Sequence, residues 1–191
     1  VADLVKHIEH YRGKMLRPSL VIAVGLAAHP RIAQTAPSDY DQLLTHDHYV
    51  MGAVREMVHM ATLVHDDVVD ESGLRRGRPT ANATWDNATA VLVGDFLIAR
   101  AFDLLVQIEN FDLLRDFSSG TCEIAEGEVL QLSKVRDAST TEETYMDVIR
   151  GKTAMLFEAS THSAAALCEA SAEQKAALQT FGDHLGIAFQ L

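Results

Sequence analysis

The stretch His59 to Thr80, "HMATLVHDDVVDESGLRRGRPT", puts four acidic and three basic side chains into the thirteen positions from Asp66 to Arg78. On an α-helix Asp66 and Asp70 project about 40° apart and lie one turn apart along the axis, so both carboxylates reach into the same space. Asp67 is rotated about 100° from Asp66 and falls beside that space. His59 lies two turns upstream on nearly the same line, which gives a stripe of His59, Leu63, Asp66 and Asp70. Like charges packed this way repel, and a helix C-terminus, whose dipole favours cations, adds to the cost. A divalent cation relieves both penalties. Mg²⁺ takes one or two carboxylates together with substrate phosphate oxygens and keeps several waters. A solvated helix end whose acids pair with Arg75, Arg76 and Arg78 accounts for the same residues, and the stretch alone does not decide between the two. "EMVH", Glu56 to His59, spells one half of a di-iron arrangement, but no second copy occurs.

Three basic groups accompany the acids. Arg75 and Arg76, with Arg78 close behind, offer guanidinium forks that suit phosphate oxygens. "YRGKMLRPSL" supplies Gly13 and Lys14 in a turn and Arg17 just ahead of a helix, where free N–H groups favour anions. "RGKTAMLF" sets Gly151, Lys152 and Thr153 as an interruption in a segment otherwise patterned as core. Each group taken singly also reads as solvated surface cations. Together with the acidic stripe they describe one metal-bridged diphosphate and a second diphosphate held by cations.

The elements that must carry these residues read as helices. Apolar residues recur at three- and four-residue spacing almost throughout, and alternating strand patterns are scarce. The spacing predicts helices over Arg17–His29, Asp41–Glu71, Ala83–Ile108, Phe111–Val135, Thr141–Glu169 and Ala172–Leu191, with "SGLRRGRPT" as a connector broken by Gly73, Gly77 and Pro79. The 191 residues fit one all-α domain, residues 1–191, with a substantial core. A net charge of −11 argues against general nucleic-acid binding, yet leaves room for a local basic pocket. No run reaches the roughly 18–20 apolar residues of a membrane span, and nothing at the start reads as a signal peptide. Cys122 and Cys168 lack zinc or redox spacing and fall in helix-like segments, where both are expected to be buried; a reduced, cytoplasmic setting follows.

Five blocks in order, "GKMLRP", "EMVHMATLVHDDVVDESGLRRGRPT", "VLVGDFLIARAF", "GKTAMLF" and "GIAFQL", make the sequence similar to the trans-type polyprenyl diphosphate synthases. The resemblance implies an isoprenoid-synthase-type helical bundle around a central cavity. It implies a prenyltransferase that joins isopentenyl diphosphate to an allylic diphosphate, with Mg²⁺ as cofactor, Mn²⁺ as its substitute, and a homodimer as the assembly. By the same resemblance Asp66 and Asp70 would coordinate the metal, with Asp67 supporting through water. Arg75 and Lys152 would hold the allylic diphosphate, with Thr153 and Gln190 near it. Lys14, Arg17, His59 and Arg76 would cradle isopentenyl diphosphate, and Asp95 would order its neighbours. Ala61 and Thr62, both small, would leave the floor beneath the metal open and so favour products longer than farnesyl.

The sequence departs from the family pattern in two places. Arg12–Gly13 stands where paired glycines are usual. The chain closes at Phe189–Gln190–Leu191, where a second aspartate-rich motif is expected to begin, so the match is expected to span roughly the first two-thirds of a family member. A non-catalytic subunit of a heteromeric synthase and a terpene cyclase of the same fold are the competing readings. The intact acids speak against the first, and the retained Lys14, Arg17 and His59 against the second.

Overall fold

The computed structural model describes residues 2–168 and 170–191. Helix α1 (Ala2–Ile8) runs into a short 3₁₀ turn, and α2 (Leu16–Ala28) follows with Pro18 in its first turn, where a missing N–H costs nothing. Arg17 thus lies inside the first turn of α2 and not ahead of it. Helix α3 (His46–Val69) begins after Thr45. It starts later than the predicted Asp41 because Pro37–Leu43 closes as a 3₁₀ stretch and Leu44 is extended.

The end of α3 explains the turn that carries the arginines. Ser72 N–H donates to Asp67 O at 2.8 Å and Glu71 N–H to Val68 O at 3.2 Å, with Glu71 at φ 51°. That is a Schellman closure with a glutamate in the left-handed position glycine usually fills. The connector then folds as a hairpin, β1 (Leu74–Arg75) against β2 (Arg78–Pro79), closed by Arg76 (φ 52°) and Gly77 (φ 77°). Two central residues with positive φ make this a type I′ turn, whose twist matches the strands it joins.

The segment predicted as one helix from Ala83 is two, α4 (Ala81–Thr84) and α5 (Asn87–Val106). The break arises because Thr80 and Asp86 each cap a separate helix, Asp86 accepting from Thr89 N–H at 2.6 Å. Asn110 caps α6 (Phe111–Ser133) by accepting from the N–H groups of Asp112 and Leu113. The segment predicted over Thr141–Glu169 divides into α7 (Glu142–Ile149), a π-helical turn (Arg150–Ala154) and α8 (Met155–Leu167); its predicted end, Glu169, lies outside the described residues. Ser171 caps α9 (Ala172–Gln190).

Helix α3 is central, packed between α2, α5 and α8. Val21, Met51, Val54, Val58, Phe117, Ile124 and Leu156 form the main core, and Ile8, Tyr11, Ala61, Val64, Val93 and Leu97 a second one on the α5 side. Burying each large aliphatic of this kind contributes about 1.5–3 kcal/mol. Helix α6 reaches the bundle chiefly through α8 and the π turn. Gly127 and Gly151 set its distance: a β-carbon on Gly127 would stand 3.2 Å from the Gly151 backbone. Cys168 is buried as expected. Cys122 is not; it lies exposed on α6, whose outer face it occupies. No helix among the described residues is long and apolar enough to cross a membrane.

Candidate active site

A cavity of about 390 Å³ opens where the start of α2, the second half of α3, the hairpin, α6, the π turn and the end of α9 meet. Its walls include Lys14, Arg17, His59, Thr62, Asp66, Arg75, Arg76, Lys152, Thr153 and Gln190. The structure therefore brings most of the sequence-predicted site residues to one place, from five separate elements.

The start of α2 is built for an anion. Met15 has φ 54°, a strained value for an unbranched apolar residue, and this left-handed turn starts α2 at the cavity, whose wall Gly13, Lys14, Met15, Leu16 and Arg17 all join. Arg76 crosses from the hairpin and donates to Arg12 O, and its guanidinium lies over Gly13 so closely that a β-carbon there would stand 2.8 Å from Nη2. Glycine at position 13 is what lets the arginine settle. Arg17 is 9% exposed and stacks 4.9 Å above the Phe157 ring, with burial lowering its pKa to about 10 and Glu56 opposing that. His59 lies among these cations. Burial, then Arg17, Arg75 and Arg76, push its pKa down to about 3, so its imidazole is neutral and can donate only one N–H.

Across the cavity Lys152 bridges two acids. Its Nζ lies 3.2 Å from Asp66 Oδ2 and 3.0 Å from Glu128 Oε1. The π turn bulges Lys152 inward, and the Gly127–Gly151 contact brings it onto α6 next to Glu128. Asp66 is held up in pKa by burial, with Lys152 pulling the other way and Asp70 adding to the rise. Thr153 Oγ1 donates to Gln190 Oε1 at 3.2 Å.

Five residues singled out in the sequence are placed elsewhere. Asp67 is 1% exposed and turned away from the cavity, where Arg75 grips it, Nη2 to Oδ1 at 2.8 Å and Nε to Oδ1 at 3.0 Å. Its rotation from Asp66 on the helix is what sends it there. Ala61 is fully buried in the α5-side core and is not in the wall of this cavity. Asp70 is exposed at the end of α3, one turn beyond Asp66 and outside the cavity wall. Arg78 faces outward against His10, and Asp95 is exposed beside His65 at 3.6 Å. Among the described residues no three His, Cys, Asp or Glu side chains converge as a metal site. Lys152 stands between Asp66 and Glu128, and Arg75 has taken Asp67.

Sequence reading named Glu56 only in the "EMVH" spelling and did not name Glu128. Both are acids in the cavity wall, Glu56 only 7% exposed and raised in pKa by burial against the pull of Arg17, Arg12 and Arg76. Glu56 lies three and seven positions before His59 and Leu63, and Glu128 four after the buried Ile124, and that helical spacing was the available signal. A second cavity of about 260 Å³, almost wholly apolar, adjoins the first between α3 and α6. Thr62, Asp66 and Glu128 line both.

The site is thus a chamber lined by Lys14, Arg17, Arg75, Arg76 and Lys152 together with three acids, beside a more apolar one, inside a helical bundle. The family model for polyprenyl synthetase matches residues 1–191, and the chain belongs to that family. It is 52% identical over 191 residues to the all-trans-nonaprenyl-diphosphate synthase (geranyl-diphosphate specific) of Rhodobacter capsulatus, covering 100% of this chain and 55% of the relative. It is 49% identical over 144 residues to the octaprenyl diphosphate synthase of Escherichia coli K12, covering 75% of this chain and 45% of that one. The crystal structure of a decaprenyl diphosphate synthase from Rhodobacter capsulatus superposes with a TM-score of 0.88 at 43% identity, over 98% of this chain and 54% of the other. A polyprenyl synthase from Caulobacter crescentus, complexed with calcium and isoprenyl diphosphate, gives 0.86 at 37% identity, over 99% and 54%. The chain spans about half the length of these relatives.

Proposed function

We propose that the protein is a prenyltransferase that condenses isopentenyl diphosphate with an allylic diphosphate to give a trans-polyprenyl diphosphate longer than farnesyl. The observation that carries this reading is the pair of adjoining chambers, one cationic and one apolar, that share Thr62, Asp66 and Glu128. A diphosphate with a hydrocarbon tail needs both together. The relatives named as nonaprenyl and octaprenyl synthases support a long product.

Divalent metal, Mg²⁺ with Mn²⁺ as substitute, fits the donor set. Asp66 and Asp70 would offer it hard carboxylate oxygens one turn apart, and a desolvated Asp66 already draws a cation, the Lys152 ammonium. Bound there, the metal would neutralise the charge that develops on a departing diphosphate. The remaining work belongs to side chains. Lys152, with Thr153 and Gln190 beside it, faces the allylic diphosphate. Lys14, Arg17, Arg76 and the N–H of neutral His59 hold isopentenyl diphosphate at the start of α2. Arg75, anchored on Asp67, presents its remaining N–H groups to the same chamber. The apolar chamber keeps water from the allylic cation, and holding both substrates side by side supplies much of the rate.

A homodimer is part of the proposal. Leu92 (67% exposed), Phe96 and Val106 leave apolar side chains along α5 that a second copy would cover. A cytoplasmic location is supported by two free cysteines. The test incubates the intact protein with labelled isopentenyl diphosphate, an allylic primer and Mg²⁺. Chain-extended products are expected. Absence of turnover would point to a non-catalytic subunit, and cyclic hydrocarbon from the allylic substrate alone to a cyclase.

A further inference from the structure

Lys152 has more carboxylate than one ammonium needs. Its Nζ lies 3.2 Å from Asp66, and 3.0 and 3.1 Å from the two oxygens of Glu128. These three residues come from α3, α6 and the π turn, and the arrangement rests on backbone: α6 and the π turn touch through Gly127 and Gly151, where any side chain would push them apart. Glu128 also stands at the border of the apolar chamber, where a lone charge is costly.

We infer that Glu128 is a positioning residue for Lys152, the carboxylate onto which the ammonium moves when a divalent cation takes Asp66. The inference rests on the metal reading given above. A cation approaching Asp66 meets the ammonium first, and the two repel across a few ångströms of partly desolvated space. Lys152 must leave Asp66 for the metal to bind well. Glu128 already lies within hydrogen-bond distance, so the move is a small side-chain rotation and the ammonium stays neutralised. Without Glu128 the ammonium has only Asp66, and it competes with the metal for that carboxylate. The same shift keeps Lys152 in the wall of the cation-lined chamber, ready for the diphosphate.

Calorimetric titration of the intact protein with Mg²⁺ alone tests this with a double-mutant cycle. Lys152→Met should tighten Mg²⁺ binding by about tenfold, because the competing charge is gone. Glu128→Gln should weaken it by about tenfold, the worth of one charge-assisted hydrogen bond. In the Lys152→Met background Glu128→Gln should change nothing further, and Glu128→Asp in the native background should recover part of the loss. Equal weakening by Glu128→Gln in both backgrounds would make Glu128 a metal ligand and overturn the inference. No effect in either background would overturn it too. A native protein that binds no Mg²⁺, with or without inorganic pyrophosphate, would instead remove the metal reading and the inference with it.

Discussion

Arg75 holds Asp67 in a two-pronged pair, Nη2–Oδ1 2.8 Å and Nε–Oδ2 3.1 Å, with the carboxylate sealed from solvent and the guanidinium 5.7 Å above the Tyr11 ring. The pair locks the hairpin to the end of α3, so the second acid of "DDVVD" serves the fold. Tyr11 is part of the same knot: it accepts from Ala81 N–H at 3.0 Å, and burial pushes its pKa up to about 12.

Asp67→Ala should therefore destabilise the protein by about 3 kcal/mol, the lower end of the range for breaking a buried pair, since Arg75 keeps some solvent. Asp66→Ala should cost far less. Burial already disfavours its charged form, and Lys152 retains Glu128. Urea midpoints of the two variants check this, and equal losses would contradict the division of labour.

Neighbouring small residues on α3 should behave oppositely. Ala61 is closed into the α5-side core, so Ala61→Phe should lower stability by about 1–3 kcal/mol through overpacking. Thr62 lines both chambers, so Thr62→Phe should leave stability near native and shorten the prenyl product, read by chromatography of the hydrolysed chains. A product unchanged in length would remove Thr62 from the chamber's passage.

Periodicity sufficed for the bundle because the apolar stripes of α3, α5 and α6 are long and regular. It failed where local capping overrules pattern: Thr80 starts a short helix ahead of the predicted Ala83, and Asp86 starts a new one just inside the predicted segment. The hairpin was illegible because its strands are two residues each, too short for alternation. In the site, the i, i+4 relation located Asp66, and angular offset alone placed Asp67 beside it. What lay beside it, Arg75 and Tyr11, is fixed by the turn after α3. Glu128 was hidden for another reason: its partner Lys152 is 24 positions away and reaches it only through the π turn.

His59 makes a pH prediction. Burial first, and then three guanidinium groups, depress its folded pKa from 6.5 to about 3, so protonation favours the unfolded chain. The stability held by neutral His59 is complete above pH 6.5 and is lost as pH falls from 6.5 toward 3. His59→Gln should make the acid limb of a stability–pH curve shallower, although His48, also depressed by burial, keeps part of it. A diphosphate bound at Arg17 and Arg76 cancels the charges that repel the proton. Binding should then raise the imidazole pKa from its depressed value, read as a shifted titration of the His59 ring protons by NMR; an unshifted titration would place the anion away from His59.

The two thiols should differ sharply in reactivity. Thr45 N–H donates to His48 Nδ1 at 3.1 Å, which leaves the imidazole proton on Nε2, facing Cys168 Sγ at 3.2 Å; the thiol in turn donates to Gly25 O at 3.0 Å. This buried relay ties α2, the start of α3 and the end of α8 together, and burial pushes the Cys168 thiol up to about 11. Cys122 lies open on α6. An aromatic disulfide reagent at pH 8 should titrate one thiol in the native protein and two after denaturation, with Cys122→Ser abolishing the native signal. Two fast thiols would mean that the relay is open, and with it the joint between the three helices. Cys168→Ala should leave His48 and the Gly25 carbonyl without partners and cost about 1–3 kcal/mol, whereas Cys122→Ser should leave the urea midpoint where it was.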